Sequence, residues 1–399
     1  MSPRTCRVER LRLFRFRNYS DETVELAPGL NVVSGANAQG KTNLLEAVAT
    51  LALTRSPRAA SAAELITWGE NACRLEARVI RPDGPTLLDV RVERTASAAV
   101  DSEVAAGERA VRRTLVDGKE RAARSLLGLC PVVLFWPEDL MLVKGGPEGR
   151  RRLLDVVLSQ LDQRIAVELL RYRRILEQRN ALLRQLRGYG AADATLGAFT
   201  EELARSGGAI RVARHRLSSA LSPLAATAHD ELSDGGEALS LRYVGGEDAT
   251  AGGEGAAAEL AAELASRRNE ELARGVTVAG PHRDDVEFLL DGRPARTTAS
   301  QGQQRSVVLA CKLAEVRHVA AVAGMAPVLL LDDVLSELDG ERRRRLLAGL
   351  GAGAPSQTLL TTTETSPLHL DDDAAEVRRL VVRQGHVEHV RDSGTVVPT

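Results

Sequence analysis

The sequence predicts an α/β fold: a mixed sheet with a β-rich N-terminal lobe, interrupted by an inserted and mostly helical arm. Three observations carry this expectation. An apolar run, Leu30 to Val33, leads into Gly35-Ala36-Asn37-Ala38-Gln39-Gly40-Lys41-Thr42 and then a helix-like run, Asn43 to Leu53. A second apolar run, Val328 to Leu331, ends in Asp332-Asp333. Between them, apolar residues recur mostly three or four apart over two long stretches, the spacing of a buried helix face.

The G-x-x-x-x-G-K-T spacing suits a strand, a glycine-hinged turn and a helix N-terminus. Backbone N–H groups and the helix dipole then converge on phosphate oxygens. Lys41 would reach the terminal phosphates of a nucleotide, and the Thr42 hydroxyl would ligate Mg²⁺. The chain has only four lysines (Lys41, Lys119, Lys144 and Lys312) and uses arginine almost everywhere else. A compact ammonium therefore stands where a phosphate needs a point charge.

Ahead of this loop, Val8, Leu11, Leu13, Phe14 and Phe16 follow a strand pattern, Arg17-Asn18 makes a turn, and Thr23 to Leu26 supplies a partner strand. After it, Leu44, Leu45, Ala47, Val48 and Leu51 mark the buried face of the helix. Strands follow at Arg74 to Ile80, Leu87 to Glu93 and Arg112 to Val116, the last ending in a turn at Asp117-Gly118. Ala96 to Gly107 is small and polar, a loop composition. Pro131 to Phe135 reads as a buried strand and leads into Trp136-Pro137-Glu138-Asp139-Leu140.

The pattern changes at Lys144-Gly145-Gly146-Pro147. From Arg150 to Arg187 a helical stripe runs through Leu154, Leu158, Leu161, Ile165, Leu169, Tyr172, Leu176, Leu183 and Leu186, with a polar break near Arg179 and Asn180. A turn around Gly188 to Gly190 precedes a second stripe from Leu196 to Leu224. Two helices so joined form an antiparallel hairpin, the first at most roughly 55 Å long. A short strand (Leu239 to Val244), a Gly/Ala/Glu stretch and a helix (Ala256 to Arg274) complete the arm. From Val276 the β/α pattern returns, with a hairpin at Asp291-Gly292, a helix from Ser306 to Val319 and the strand ending at Asp332. A helix from Gly340 to Leu350, a buried strand at Thr358 to Leu360 and a hairpin of Val377 to Val382 with Val387 to Val390 close the chain. The expected divisions are 1–146, 147–275 and 276–399.

Composition excludes little. The 53 basic and 54 acidic side chains nearly cancel, so any nucleic-acid surface must come from local segregation of charge. Cys6, Cys73, Cys130 and Cys311 are scattered without a C-x-x-C pair, which fits reduced cytoplasmic thiols better than a disulfide framework or zinc site. No apolar run is long enough to span a membrane, and the arginine-rich start lacks the core of a signal peptide, so a cytoplasmic location is expected. Aromatic residues are 3%, too few for extensive single-strand stacking.

Asp332, delivered by a buried strand opposite the phosphate loop, is the carboxylate a Mg²⁺–nucleotide site needs beside Thr42, and Asp333 lies where it can polarise an attacking water. Ser300-Gln301-Gly302-Gln303, just before a helix, offers a hydroxyl, a permissive glycine and free N–H groups. By itself that pattern fits a simple N-cap equally well. Taken in order with Ser336-Glu337-Leu338-Asp339, these motifs resemble the ABC-type head ATPases, in which the signature motif of one subunit closes over the nucleotide of the other.

The resemblance narrows with Asn37 to Ala47, Phe135 to Leu140 with Val143-Lys144-Gly145, Gly280-Pro281-His282-Arg283-Asp284-Asp285, Ser300 to Arg305 and Asp332 to Asp339, which together are similar to the RecF family of recombination mediators. It implies an ABC-type P-loop ATPase head, with lobes at 1–146 and 276–399 around the inserted arm. The nucleotide would be held by Gly35, Ala36, Asn37, Ala38, Gln39, Gly40, Lys41, Thr42 and Asn43, by Ser300, Gly302 and Gln303 of a second copy, and by Mg²⁺ on Thr42 and Asp332, with Lys41, Asp332 and Asp333 serving hydrolysis. The implied protein forms a homodimer on ATP, binds gapped or junction DNA, works with RecR and RecO, and assists loading of RecA in repair and at stalled replication forks.

Two positions depart from the superfamily. Asp333 stands where most members have Glu, and Thr361-Thr362-Thr363 stands where a His is usual. A shorter carboxylate and an uncharged hydroxyl predict slow hydrolysis, a timer rather than a motor. DNA-backbone candidates are Arg55, Arg58, Arg112, Arg113, Arg150, Arg151 and Arg152, while Arg342 to Arg345 read as a solvated helix face. A structural-maintenance (SMC-type) head shares the nucleotide motifs, but its arms need hundreds of heptad residues where this one has about 130. Neither a transporter subunit nor a metabolic kinase accounts for the arm and the signature motif together.

Overall fold

The computed structural model describes residues 4–95, 110–186, 194–233, 236–246, 252–334, 340, 343–345, 357–363, 377–390 and 396–398. The chain forms two compact units, Met1–Pro137 with Val319–Thr399, and Glu138–His318.

Among the described residues the first unit holds a two-stranded parallel pair, Arg4–Thr5 with Met325–Ala326, and two larger sheets. The antiparallel one has six strands in the order Tyr19–Glu25, Arg7–Phe16, Ala72–Arg81, Gly84–Arg94, Ala110–Val116, Lys119–Arg121. Val8, Leu11 and Leu13 are all buried although the first interval is three residues, because the register slips between Val8 and Arg10. A bulge adds one residue and restores the inward phase. The expected Asp117-Gly118 turn has both residues at positive φ, 50° and 76°, the conformation a two-residue hairpin requires.

The seven-stranded sheet runs Val396–Pro398, His386–Val390, Arg378–Arg383, Gly29–Ser34, Gln357–Thr362, Val328–Leu331, Val132–Phe135. From Arg378–Arg383 to Val132–Phe135 every pairing is parallel. The last two strands are buried along their whole length, which is why they read as unbroken apolar runs. Gln357–Thr362 therefore lies between the strand that enters the phosphate loop and the strand that ends at Asp332. Buried Gln357, at the start of this strand, ties it to strand Arg7–Phe16 and to Ala27, donating to Val8 O and Ala27 O at 2.8 Å and accepting the Val8 N–H at 2.9 Å.

The second unit is mostly helical: Pro147–Leu161, Gln163–Gln185, Ala194–Leu232, Gly252–Ser266, Arg268–Arg274, and Gln301–Ala323, which runs on past its boundary. The expected single helix from Arg150 to Arg187 is instead two. It breaks at Asp162, whose carboxylate caps the Arg164 N–H at 2.8 Å, and runs straight through Arg179 and Asn180. That polar pair looked like an interruption because Arg179 is buried polar machinery, with half-buried Asn180 beside it. Arg179, 1% exposed, donates to Glu271 at 2.6 Å and Thr277 at 2.7 Å, while Asn180 accepts the Thr277 N–H at 2.7 Å. The second stripe becomes a helix of 39 residues, Ala194–Leu232, and the predicted turn at 188–190 lies outside the described residues.

The expected boundary at 275/276 also moves. Asp285–Leu290 pairs antiparallel with Leu239–Val244, so the chain past 275 stays with the arm until His318. The Gly280 to Asp285 segment anchors this unit through charge. Asp284 accepts from Arg211 at 3.0 and 3.1 Å and from Tyr243 at 2.6 Å, and Asp285 takes both arms of Arg150 at 2.7 and 2.8 Å. Among the described residues no helix is long and apolar enough to cross a membrane, and the four cysteines are buried with no disulfide.

Candidate nucleotide-binding site

The phosphate loop leaves Gly29–Ser34 and ends at helix Lys41–Leu53, both expected from the pattern. Its two glycines are sterically required. Gly35 has φ 151° and a Cβ there would lie 2.5 Å from Val382 O, while Gly40 has φ 117° and a Cβ would lie 2.6 Å from the Asn18 amide. Ala38 also takes a left-handed φ of 64°, which its residue type did not announce. The Lys41 ammonium curls over the loop and donates to Gly35 O at 2.7 Å and Ala36 O at 2.9 Å. Burial lowers its pKa, opposed by the charges of Asp333 and Asp332.

Two distant hairpin turns grip this loop. Asn18 Nδ2 donates to Gln39 O at 2.8 Å, and Asn43 donates back to Asn18 at 2.8 Å. From the C-terminal hairpin, Gly385 N–H donates to Gln39 O at 3.1 Å and Gln384 N–H to the Gln39 side chain at 2.7 Å. The Tyr19 hydroxyl donates to Gly40 O at 2.9 Å. Nothing in local sequence joins residue 39 to residue 385; only the parallel pairing of Arg378–Arg383 with Gly29–Ser34 does.

At the head of the helix the Thr42 hydroxyl donates to the Asp332 carboxylate, 2.9 Å from each oxygen. The predicted pair is thus assembled. Thr361, standing where a His is usual, makes two hydrogen bonds here: its hydroxyl donates to Asp332 Oδ1 at 2.8 Å and accepts the Asp333 N–H at 2.8 Å. Asp333 sits at φ 50°, a strained conformation for a non-glycine residue that this bond helps hold. Burial raises the Asp332 pKa, opposed by the hydroxyls of Thr361 and Thr42 and by the charge of Arg58. A hydroxyl beside a carboxylate, at the end of a glycine-hinged loop that runs into a helix N-terminus and carries an ammonium, fits Mg²⁺ with a nucleoside triphosphate: hard oxygens for the metal, donors for the phosphates.

Ser300, Gly302 and Gln303 belong to the other compact unit. There they form a reciprocal cap on helix Gln301–Ala323: Ser300 N–H donates to Gln303 Oε1 at 2.6 Å, and Gln303 N–H to Ser300 Oγ at 3.3 Å. Both alternatives left open by the sequence thus remain compatible with the motif. Ser336 to Asp339 and Arg342 lie outside the described residues.

The arginine candidates divide. Arg150 is 4% exposed and committed to Asp285, so it is a structural residue rather than a surface charge. Arg151 donates to Asp284 O at 2.8 Å. Arg58 lies 3.8 Å from buried Glu46, and its charge is felt at Asp332, which places it with the nucleotide site. Burial first and the like charge of Arg55 second lower the Arg112 pKa, so Arg55 and Arg112 are neighbours. Arg113 and Arg152 are exposed.

A protein-family model described as "RecF/RecN/SMC N terminal domain" matches residues 7–386. The DNA replication and repair protein RecF of Chloroflexus aurantiacus is 44% identical over 393 residues, 95% of this chain and 99% of its own length. That of Symbiobacterium thermophilum is 40% identical over 381 residues, 94% of this chain and 96% of its own. A solved structure of the recombination mediator protein RecF with ATP in the RecFOR pathway superposes with a TM-score of 0.85 at 29% identity, covering 98% of this chain and 99% of that one. An Smc head domain from Pyrococcus furiosus, at 14% identity and a TM-score of 0.55 over 99% and 97% of the two chains, shares the fold alone. The ATPase-head fold, the assembled phosphate loop and acidic strand, and the near full-length similarity together show that this chain belongs to the RecF family of DNA replication and repair proteins.

Proposed function

We propose that this protein is an ATP-dependent recombination mediator that dimerises on nucleotide and binds gapped or junction DNA. The observation that carries the reading is the Thr42–Asp332 pair at 2.9 Å, set at the end of a loop whose ammonium, Lys41, lies within reach of phosphates. Thr42 and Asp332 would hold Mg²⁺, which would supply a Lewis acid for the phosphates of a bound ATP. Lys41 and the loop N–H groups bind and orient the triphosphate; Asp333 polarises water. Because the Asp333 carboxylate is short and its backbone is fixed by Thr361, hydrolysis is slow, and it ends the bound state rather than driving motion.

Ser300 to Gln303 cap the nucleotide of a second copy, which makes ATP the adhesive of a homodimer. The solved relative placed in the RecFOR pathway supports RecR and RecO as partners, and assistance of RecA loading is the outcome of this reading. The protein is cytoplasmic and joins the nucleoid when bound to DNA.

The test is sedimentation velocity with and without Mg²⁺–ATP, alongside titration of a fluorescent gapped duplex at several salt concentrations. Nucleotide should convert monomer to dimer, and affinity for DNA should fall steeply with salt. Lys41→Ala should lose nucleotide binding and dimerisation together. A Lys41→Ala variant that still dimerises with ATP, or a wild-type turnover of many ATP per second with DNA, would overturn this reading.

A further inference from the structure

The side-chain amide of Gln303 is held at both ends. Its Oε1 accepts the Ser300 N–H at 2.6 Å, closing the cap on helix Gln301–Ala323, and its Nε2 donates to the carboxylate of Glu237, 66 residues earlier in the chain. The two partners fix which way the amide faces. A backbone N–H needs the oxygen and a carboxylate needs the NH₂, so a flipped amide would set donor against donor at Ser300 and oxygen against oxygen at Glu237. With an anionic acceptor, the bond to Glu237 is of the stronger kind.

Glu237 is itself placed by the arm's small sheet. It stands just before strand Leu239–Val244, whose antiparallel partner Asp285–Leu290 ends at the Asp291-Gly292 turn. Ala238 N–H donates to Asp291 Oδ1 at 2.8 Å and Asp291 N–H to Ala238 O at 3.0 Å, so the backbone next to Glu237 is pinned to that turn. From the turn the chain runs through Arg293–Pro294 and the short helix Ala295–Thr298 to Ser300. Glu237 and Gln303 are both half-buried, so their bond is partly shielded from water. Further along the same helix, Arg317 pairs with Glu231 at the end of helix Ala194–Leu232. Arg317 lies about 21 Å from Gln303 along the axis at about 1.5 Å per residue, so that second pair holds the helix without touching the motif.

We propose that Glu237 is a positioning residue for the signature motif: by holding the Gln303 amide it presets the cap that the motif offers to the nucleotide of a second copy. In that cap the Ser300 hydroxyl spends an acceptor lone pair on the Gln303 N–H, at 3.3 Å, and keeps its proton to donate. A phosphate oxygen is an acceptor that proton suits. A motif held in shape before the second copy arrives also loses less freedom on closing over it. Glu237 acts through Gln303 rather than on the nucleotide. The inference rests on the reading of ATP as the adhesive of a homodimer and adds the arm residue that readies the motif for it.

The experiment uses the full-length protein with Mg²⁺–ATP, read by sedimentation velocity, by ATP turnover, and by titration of a fluorescent ATP analogue at protein concentrations below dimerisation. Glu237→Ala should weaken dimerisation about 10-fold or more, the value of one charge-assisted hydrogen bond, with the monomer's affinity for the analogue unchanged. Glu237→Gln, whose amide oxygen still accepts from Gln303, should restore most of the loss. Glu231→Ala should dimerise like wild type. Mixing variants reads the motif across copies. Lys41→Ala holds no nucleotide but carries an intact motif, so adding it should raise the turnover of Glu237→Ala, and equally that of Ser300→Ala, because each mixed pair contains one complete site. If Glu237→Ala dimerises like wild type, if its monomer loses analogue affinity, or if Glu231→Ala loses as much, Glu237 does not position the motif. A gain for Ser300→Ala without one for Glu237→Ala overturns the inference and leaves the dimer reading standing. If neither mixture gains, or wild type stays monomeric with ATP, the inference and the dimer reading fall together.

Discussion

The Thr361 hydroxyl donates to Asp332 across 2.8 Å while accepting the Asp333 backbone N–H, so one uncharged side chain fixes both members of the acidic pair. Thr361→Val keeps the shape and removes both bonds. It should destabilise the fold by about 1–3 kcal/mol and weaken Mg²⁺–ATP binding about 10-fold, near the value of one charge-assisted hydrogen bond. Thr361→Ser should recover most of each. Titration calorimetry with Mg²⁺–ATP reads the effect, and a valine variant that binds like wild type would remove Thr361 from the site.

The grip of the C-terminal hairpin on the phosphate loop is open to a control that changes one atom. A Cβ at Gly385 would lie 2.2 Å from Asn18 O at φ 78°, whereas one at Gly118, φ 76°, meets nothing within 4 Å. Both substitutions to alanine strain the backbone equally. Only Gly385→Ala should lower ATP affinity several-fold, because it displaces the N–H donors to Gln39. Equal affinities for the two variants would show that the hairpin contact does not shape the loop.

Buried charge holds the helical unit together. Arg179→Ala would strand Glu271, which is fully buried, and should cost about 3–5 kcal/mol in a denaturant titration. Arg173→Ala, which breaks an exposed pair with Glu177 on the same helix, should cost less than about 0.5 kcal/mol. Similar losses at the two positions would contradict the assignment of Arg179 as buried machinery.

His282 makes this unit sensitive to acid. Its Nε2 lies 3.2 Å from Thr277 O, an acceptor only, so Nε2 carries the proton and Nδ1 accepts from the Tyr172 hydroxyl at 2.7 Å. Burial holds the ring neutral and lowers its pKa from 6.5 to about 4. Below pH 6.5 the unfolded chain takes up a proton that the folded one refuses. The contribution is therefore complete above pH 6.5 and is lost as pH falls towards 4. Thermal melts between those limits should show a steeper acid loss for wild type than for His282→Gln; parallel profiles would refute it.

Much of the fold was legible because it follows from local pattern. Alternation placed the strands of the first sheet, and the bulge at Val8 explains one slip in that alternation. Continuous apolar runs placed the buried parallel strands, and glycine spacing placed the loop. Several of the errors share one cause. Arg179, Asn180 and Arg150 were read as breaks or surface charge because periodicity scores polarity as exposure, whereas Arg179 and Arg150 are buried and Asn180 is half-buried and hydrogen-bonded.

By itself, the sequence determined the chemistry of the candidate nucleotide site: the loop, its lysine, the hydroxyl of Thr42 and the carboxylates of Asp332 and Asp333, since each is set by residue type at a fixed local spacing. Only the tertiary structure decided what positions them. Strand order inserts Gln357–Thr362 between the loop strand and the acidic strand and so makes Thr361 the bridge. Parallel pairing brings Gly385 to Gln39. Such relationships join residues hundreds of positions apart through sheet hydrogen bonds, and no local spacing encodes them.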